Sequence, residues 1–307
     1  MTAARTGTEE RDLKPDSISE TINKDNKSNQ KSTIIIENKK KKITKQENTK
    51  MKNNVLENFK NGKVSIGTFN HMQSTNSVLC LGATGLDFLI VDTEHNAADS
   101  ESAQHYITTA RGCGISPLVR IDGIVRSAVL KALDEGAHGI IVPGVKSVDD
   151  AKKIVEFAKF APVGDRGFCP THDGVWGAGE SMDGVSIDDY MKNCNEETMV
   201  ILQCETRGCL EHIDEITSME GVDGIMIGPF DMSIALGKPA QFNDPEVKDA
   251  FAAALAACKK YKKLSMMFCG GVDAAKGYIE QGFDSVIVGL DNSIYIDAYK
   301  NIVSELR

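Results

Sequence analysis

Met199-Val200-Ile201-Leu202-Gln203-Cys204-Glu205-Thr206-Arg207 is an apolar run that stops on a carboxylate. Gly224-Ile225-Met226-Ile227-Gly228-Pro229-Phe230-Asp231 repeats the arrangement, with Asp231 26 residues after Glu205. Short apolar runs without alternation are expected of parallel strands covered by helices. If the two runs are neighbouring parallel strands, both carboxylates project from the same rim. Two carboxylates on one rim, with room for water and substrate, suit a hard divalent ion that must also grip a ligand.

The same rhythm extends in both directions. Strand-like runs are expected at 64–69, 88–91, 117–119, 139–142, 199–202, 224–227, 264–268 and 286–288, each followed by a helix-like segment. Segment 161–198 breaks the rhythm with Pro162, Pro170, several glycines and the single Trp176, and is expected to be an inserted lid or subunit contact with a short helix near 187–192. Eight strand–helix units in about 250 residues predict an α/β fold, the (β/α)8 TIM barrel, over residues 55–307. The alternative is an open doubly wound sheet, which would want a glycine-rich phosphate loop after its first strand; neither GxGxxG nor GxxxxGK[ST] occurs.

Residues 1–54 differ in kind. They are polar, without aromatics, and carry 13 Lys and Arg against 8 Asp and Glu, a net +5 that leaves the remainder of this net −9 chain at −14. Such a segment cannot bury enough surface to offset its ordering entropy, so a disordered tail is expected. The acidic body speaks against nucleic acid as a partner. No run of about 20 apolar residues spans a membrane and no apolar leader opens the chain, so a cytoplasmic location is expected. Eight cysteines without CxxC spacing read as reduced thiols.

In a barrel of this kind, active sites gather at the C-terminal ends of the strands. There the chain puts His71, Asp92, His95, Arg120, Glu205, Asp231 and Asp291. Each has an ordinary alternative, such as helix capping for Asp92 and Asp231, dipole pairing for Glu205, or an ion pair for Arg120. Together they favour enolate chemistry. Two carboxylates leave positions on Mg²⁺ or Mn²⁺ for a 2-keto acid, Arg120 offers a fixed charge to an enolate oxygen, and His95 is a proton shuttle whose tautomer Asp92 is placed to set. A Schiff-base mechanism would need a lysine inside the barrel, and Lys146 is the nearest, at the start of a helix.

Val91-Asp92-Thr93-Glu94-His95, Leu118-Val119-Arg120, Ala161-Pro162-Val163-Gly164-Asp165-Arg166-Gly167, Gln203-Cys204-Glu205-Thr206-Arg207 and Gly228-Pro229-Phe230-Asp231-Met232-Ser233 resemble the HpcH/HpaI family of class II pyruvate aldolases. The resemblance implies a barrel of the phosphoenolpyruvate/pyruvate type that cleaves 4-hydroxy-2-oxo acids to pyruvate and an aldehyde. It implies Glu205 and Asp231 as metal ligands for Mg²⁺ or Mn²⁺, with Co²⁺ a further option. It also implies His95 with Asp92 as the base pair, Arg120 on the enolate, Gln203 lining the site, and the amides of Phe230 and Asp231 on the pyruvate carboxylate. A homohexamer is implied as well. Phe230 departs from the family by replacing a small residue. An acyl-CoA lyase of the citrate lyase beta kind, or a non-catalytic scaffold barrel, are the alternative functions.

Overall fold

The computed structural model describes residues 53–171, 175–179 and 182–307. Eight strands, β1 (Ser65–Asn70), β2 (Phe88–Asp92), β3 (Ser116–Arg120), β4 (Gly139–Val142), β5 (Met199–Cys204), β6 (Gly224–Ile227), β7 (Leu264–Cys269) and β8 (Ser285–Leu290), close into a barrel in chain order. Every neighbouring pair is parallel, and β8 returns to β1 with Ser65 opposite Ser285. Closure removes the open-sheet alternative.

Residues of alternating position within each strand divide between two cores, as the period of two requires. Phe88, Ile90, Leu118, Ile141, Met199, Ile201, Met226, Met266 and Ile287 fill the barrel interior. Leu89, Val91, Val119, Ile140, Val142, Val200, Leu202, Ile225 and Ile227 face outward into the helix layer. That layer is built by α2 (Thr75–Gly82), α3 (Ser100–Gly112), α4 (Arg126–Asp134), α5 (Val148–Ala158), α7 (Arg207–Glu211), α8 (Ile213–Ser218), α10 (Pro245–Tyr261) and α11 (Val272–Gln281). Ser74, Asp99, Ser147, Thr206 and Asp244 accept a backbone N–H at the starts of α2, α3, α5, α7 and α10, which fixes where those helices begin.

Three features depart from the strand–helix pattern. Helix α1 (Asn54–Lys60) precedes β1 and closes the N-terminal end of the barrel: Val55 joins the interior core, and Asn53 Nδ2 donates to the carbonyls of His138 (2.9 Å) and Glu197 (3.0 Å). Seven residues are too few to be helical without tertiary burial, so the sequence pattern does not announce this element. The expected disordered tail over 1–54 lies outside the described residues, except for Asn53 and Asn54, which belong to the fold. A further helix, α9 (Pro229–Ala235), starts directly after β6. In the insertion, α6 (Ile187–Glu197) is longer than the expected short helix, and Phe160, Tyr190 and Cys194 make a small core with Phe168, Met182, Val185 and Met191. The insertion is tied to the end of α4 by an Arg166–Asp134 ion pair at 2.7 Å and by Thr171 Oγ1 donating to the Asp134 carbonyl at 2.9 Å.

The last helix, α12 (Asp291–Leu306), buries only Asp291 of its sixteen residues and leaves Ile294, Tyr295, Ile296, Tyr299 and Leu306 exposed. Among the described residues no helix is long and apolar enough to cross a membrane.

Candidate active site

The strand register assembles the site. Asp92 continues the inward series Phe88, Ile90, and Arg120 continues the inward series from Leu118. The two are register partners on β2 and β3, so their side chains meet at one level of the barrel. Arg120 Nε donates to Asp92 Oδ1 and Nη2 to Oδ2, both at 2.8 Å. This is the two-pronged geometry that makes arginine–carboxylate pairs strong and directional. Asp92 is fully buried. Burial alone would raise its pKa, but His71 and Arg120 beside it outweigh that and hold the carboxyl well below the usual range.

Arg120 is nested further. Its guanidinium lies 4.6 Å from the centre of the Phe69 ring, and Nη1 lies 3.2 Å from Glu94 Oε2. Glu94 is displaced in the opposite sense to Asp92: burial raises its pKa, Arg120 draws it down, and the charge of Glu205 raises it again.

Across the mouth, Gln203 and Glu205 extend the inward series Met199, Ile201 of β5, while Cys204 between them faces the outer core. Glu205 Oε1 accepts the amide of Gly144 at 2.7 Å, and Glu205 Oε2 accepts from the Gln203 side-chain amide. Burial raises the pKa of Glu205; the Gly144 and Gln203 contacts oppose this, and the nearby charge of Asp231 adds to it. Gly228 passes so close that a Cβ there would sit 3.1 Å from Glu205 Oε2 and 3.2 Å from Gln203 Nε2. Asp231 lies in the first turn of α9, which Pro229 opens, and its side chain caps nothing. Its neighbour Phe230 is 51% exposed and packs edge-on against Phe242 at 4.9 Å.

This donor set fits a hard divalent cation. Glu205 is a buried carboxylate with no cationic side chain in hydrogen-bond contact, and Asp231 adds a second negative charge beside it. A cation between them relieves both the burial and the repulsion. Among the described residues no group of three or more His, Cys, Asp or Glu is placed to hold a metal.

One expected pairing is not formed. His95 does not lie against Asp92; its Nε2 faces Glu94 Oε2 at 3.7 Å, and its side chain is 63% exposed. Asp92 is instead taken by Arg120 and by His71, whose Nε2 lies 3.0 Å from Asp92 Oδ2, although off the hydrogen-bonding line. The reason is strand geometry: β2 ends at Asp92 and His95 sits three residues into the following turn, whereas His71 extends the inward series of β1 through Phe69. The pattern does not single out Glu94, Gly144 or Phe69. The period of two was the available signal for Glu94, which continues Phe88, Ile90, Asp92.

Asp291 proves architectural. Its carboxylate accepts the amides of His71 (2.7 Å), Met72 and Asn292 and the Asn70 side chain (2.8 Å), locking the β1–α2 turn. Lys146 is exposed. The buried Lys159 lies at the other end of the barrel, bonded to the carbonyls of Asn195 and Thr198 and to Asp223, so neither lysine serves a Schiff base in this mouth.

The family model for HpcH/HpaI aldolase/citrate lyase matches residues 66–298. The chain belongs to the HpcH/HpaI aldolase/citrate lyase family. It is 29% identical over 255 residues to 2-keto-3-deoxy-L-rhamnonate aldolase of Escherichia coli O17:K52:H18, covering 82% of this chain and 92% of that one. Among solved structures it is similar to an HpcH/HpaI aldolase from Desulfitobacterium hafniense DCB-2 (28% identity, TM-score 0.74, 80% of this chain and 94% of that one). It is also similar to the citrate synthase SbnG (28% identity, TM-score 0.72, 81% and 96%). Family membership makes the protein an enzyme of the aldolase and lyase type, working on a small-molecule substrate.

Proposed function

We propose that this protein is a divalent-metal-dependent aldolase that cleaves 4-hydroxy-2-oxo acids to pyruvate and an aldehyde through a pyruvate enolate. The observation that carries this reading is the pairing, within one barrel mouth, of an inward arginine fixed by Asp92 with an inward Glu205 that has no cationic side chain in contact. Glu205 and Asp231 would hold Mg²⁺ or Mn²⁺, which supplies Lewis-acid polarisation of the keto oxygen when bound.

The remaining roles fall to the chain's own groups. Arginine has five N–H donors; Asp92 engages two of them and Glu94 lies against a third nitrogen, so Arg120 keeps donors for the enolate oxygen that develops as the C3–C4 bond breaks. The structure holds that guanidinium in place before substrate arrives, so no reorganisation is needed at the moment of charge development. His95, on the turn after β2, takes the proton of the C4 hydroxyl, with Glu94 rather than Asp92 beside its ring. Gln203, buried next to Glu205, keeps its carbonyl oxygen without a hydrogen bond and lines the keto-acid end. The amides of Phe230 and Asp231 open α9, where the first N–H groups of a helix lack partners within it, and receive the pyruvate carboxylate.

The exposed apolar face of α12 supports assembly with further copies of the chain, for which a homohexamer is proposed. A cytoplasmic location is proposed on the same footing as the thiols: eight cysteines, none of those described forming a disulfide.

The test is a retro-aldol assay with Mg²⁺ or Mn²⁺ in which released pyruvate is detected with lactate dehydrogenase. Turnover that EDTA removes and added metal restores is expected. Absence of metal-dependent pyruvate release across a panel of 4-hydroxy-2-oxo acids refutes the assignment.

A further inference from the structure

In a closed eight-stranded barrel numbered in chain order, β5 and β1 lie diametrically opposite, with β3 midway between them. On the aldolase reading above, the keto-acid end of the substrate sits at Glu205, after β5, and its enolate oxygen points toward Arg120, at the end of β3. The rest of the substrate, from C4 outward, then runs toward the end of β1. The side chain at that end is His71.

His71 is prepared in a way that a passive wall residue is not. Its backbone amide donates to Asp291 at 2.7 Å and the next amide donates to the same carboxylate at 3.1 Å. Gln73, two residues on, adopts a positive φ of 45°, donates its side-chain amide to the Asp92 carbonyl at 3.0 Å, and has its own carbonyl held by the Tyr106 hydroxyl at 2.6 Å. Three elements thus fix a turn whose inward side chain is one imidazole. The ring packs edge-on against Phe69 at 5.6 Å, and the same Phe69 ring lies beneath Arg120. Its Nε2 is closed to solvent and faces Asp92 Oδ2 at 3.0 Å. The side chain is nevertheless 15% exposed, so its open edge lies elsewhere on the ring.

We propose that His71 is the polar contact for the aldehyde half of the substrate and selects aldehydes bearing a hydroxyl next to the carbonyl over alkyl aldehydes of the same size. The local charge favours a neutral hydroxyl over a carboxylate. Asp92 and Glu94 both lie in this wall, and the one cation between them, Arg120, is already shared by both. A site built to hydrogen-bond a substrate hydroxyl rejects the analogue lacking it far more strongly than an apolar pocket separates homologues.

The proposal rests on the aldolase reading, and two measurements separate them. Exchange of the pyruvate methyl protons with D2O, followed by NMR with the wild-type protein and Mn²⁺ or Mg²⁺, needs only the keto-acid half-site. Aldol addition of pyruvate to glycolaldehyde and to propanal, an isosteric pair differing by the hydroxyl, reads the aldehyde half-site. Wild type is expected to exchange and to favour glycolaldehyde in kcat/KM, with the gain mainly in KM.

In His71→Phe, which keeps a ring on Phe69 but has no polar ring atom, the glycolaldehyde-to-propanal ratio is expected to fall by about tenfold or more. His71→Asn is expected to recover part of it. His71→Ala carries the same test if the phenylalanine variant does not fold. Wild-type exchange with an unmoved ratio, or with both aldehydes falling together, overturns the role of His71 alone. So does a wild-type preference for succinic semialdehyde or propanal over glycolaldehyde. Absence of exchange in wild type overturns the aldolase reading and the His71 proposal with it.

Discussion

Asp92 and Glu205 invite comparison. Both are carboxylates at the C-terminal end of an inner strand series, both are buried, and both face the same mouth. Their acidities nevertheless move apart. Burial, which raises a carboxyl, is outweighed at Asp92 by His71 and by an Arg120 in direct contact, whereas at Glu205 it prevails over one backbone amide, one side-chain amide and the more distant charge of Arg120. The protein completes the charge of Asp92 itself and leaves that of Glu205 to be completed by something else. Asp92 is thereby a scaffold for Arg120, and Glu205 a receptor for a cation.

The sharpest way to break this contrast is to delete each carboxylate in turn. Glu205→Ala is expected to lower metal-dependent pyruvate release at least about a thousandfold, since several kcal/mol of charge stabilisation leaves with the ion. The same variant is expected to unfold no more easily than wild type in metal-free urea titrations, because a buried carboxylate with no cationic side chain in contact has been removed. Asp92→Ala should do the reverse to stability, costing about 3 kcal/mol in the same titration, because it takes from the buried Arg120 its two-pronged partner and leaves only Glu94 beside it. Equal stability losses in the two variants would remove the distinction.

Next in size is Arg120→Ala, expected to cost about 3 kcal/mol in kcat/KM, the scale of one preorganised donor to a developing oxyanion. Smaller is the stabilisation by metal alone. Mn²⁺ at about one hundred times its Kd should add about 2.7 kcal/mol to wild-type stability by mass action, and Glu205→Ala should lose that gain. Because the folded pKa of Glu205 is raised, metal affinity should weaken on acidification earlier than for an ordinary carboxylate, an effect calorimetric titration reads directly.

The smallest effect lies outside the mouth. Burial raises Glu135 to about 7, against the attraction of Lys131 and with Asp134 and Asp99 adding to the shift. Below its ordinary value of 4.5 the folded and unfolded chains both hold the proton; between there and about 7 only the unfolded chain ionises. Stability is therefore present at low pH and lost as pH rises through that window. Thermal midpoints of wild type and Glu135→Gln should diverge across it, with the variant losing less.

The fold was largely legible because a covered parallel strand has to be continuously apolar and each crossover helix has to be amphipathic, so the eight units appear as a rhythm. Helix α10, Pro245–Tyr261, is such a segment, begun by the capping Asp244. Helices α1 and α9 were not legible: at seven residues each, they are held by what they pack on, and α9 begins where the sequence pattern still reads as strand end. In the site, inward strand positions could be placed by counting in twos, which brought Asp92, Arg120, Gln203 and Glu205 to one mouth. The count carries two residues past the end of β2, to Glu94, and fails at His95, so the Asp92–His95 pairing was assigned across a turn.

By itself, then, the sequence determined the barrel and the set of polar residues at its strand ends, since these follow from the rhythm of apolar runs. Tertiary structure alone decided who neutralises whom. Arg120 goes to Asp92, His71 comes to the same carboxylate from the first strand, His95 faces Glu94, and Glu205 is hydrogen-bonded by amides. Those pairings depend on distances between chain segments far apart in sequence, and electrostatic energies in a buried mouth follow distance and burial, not order along the chain.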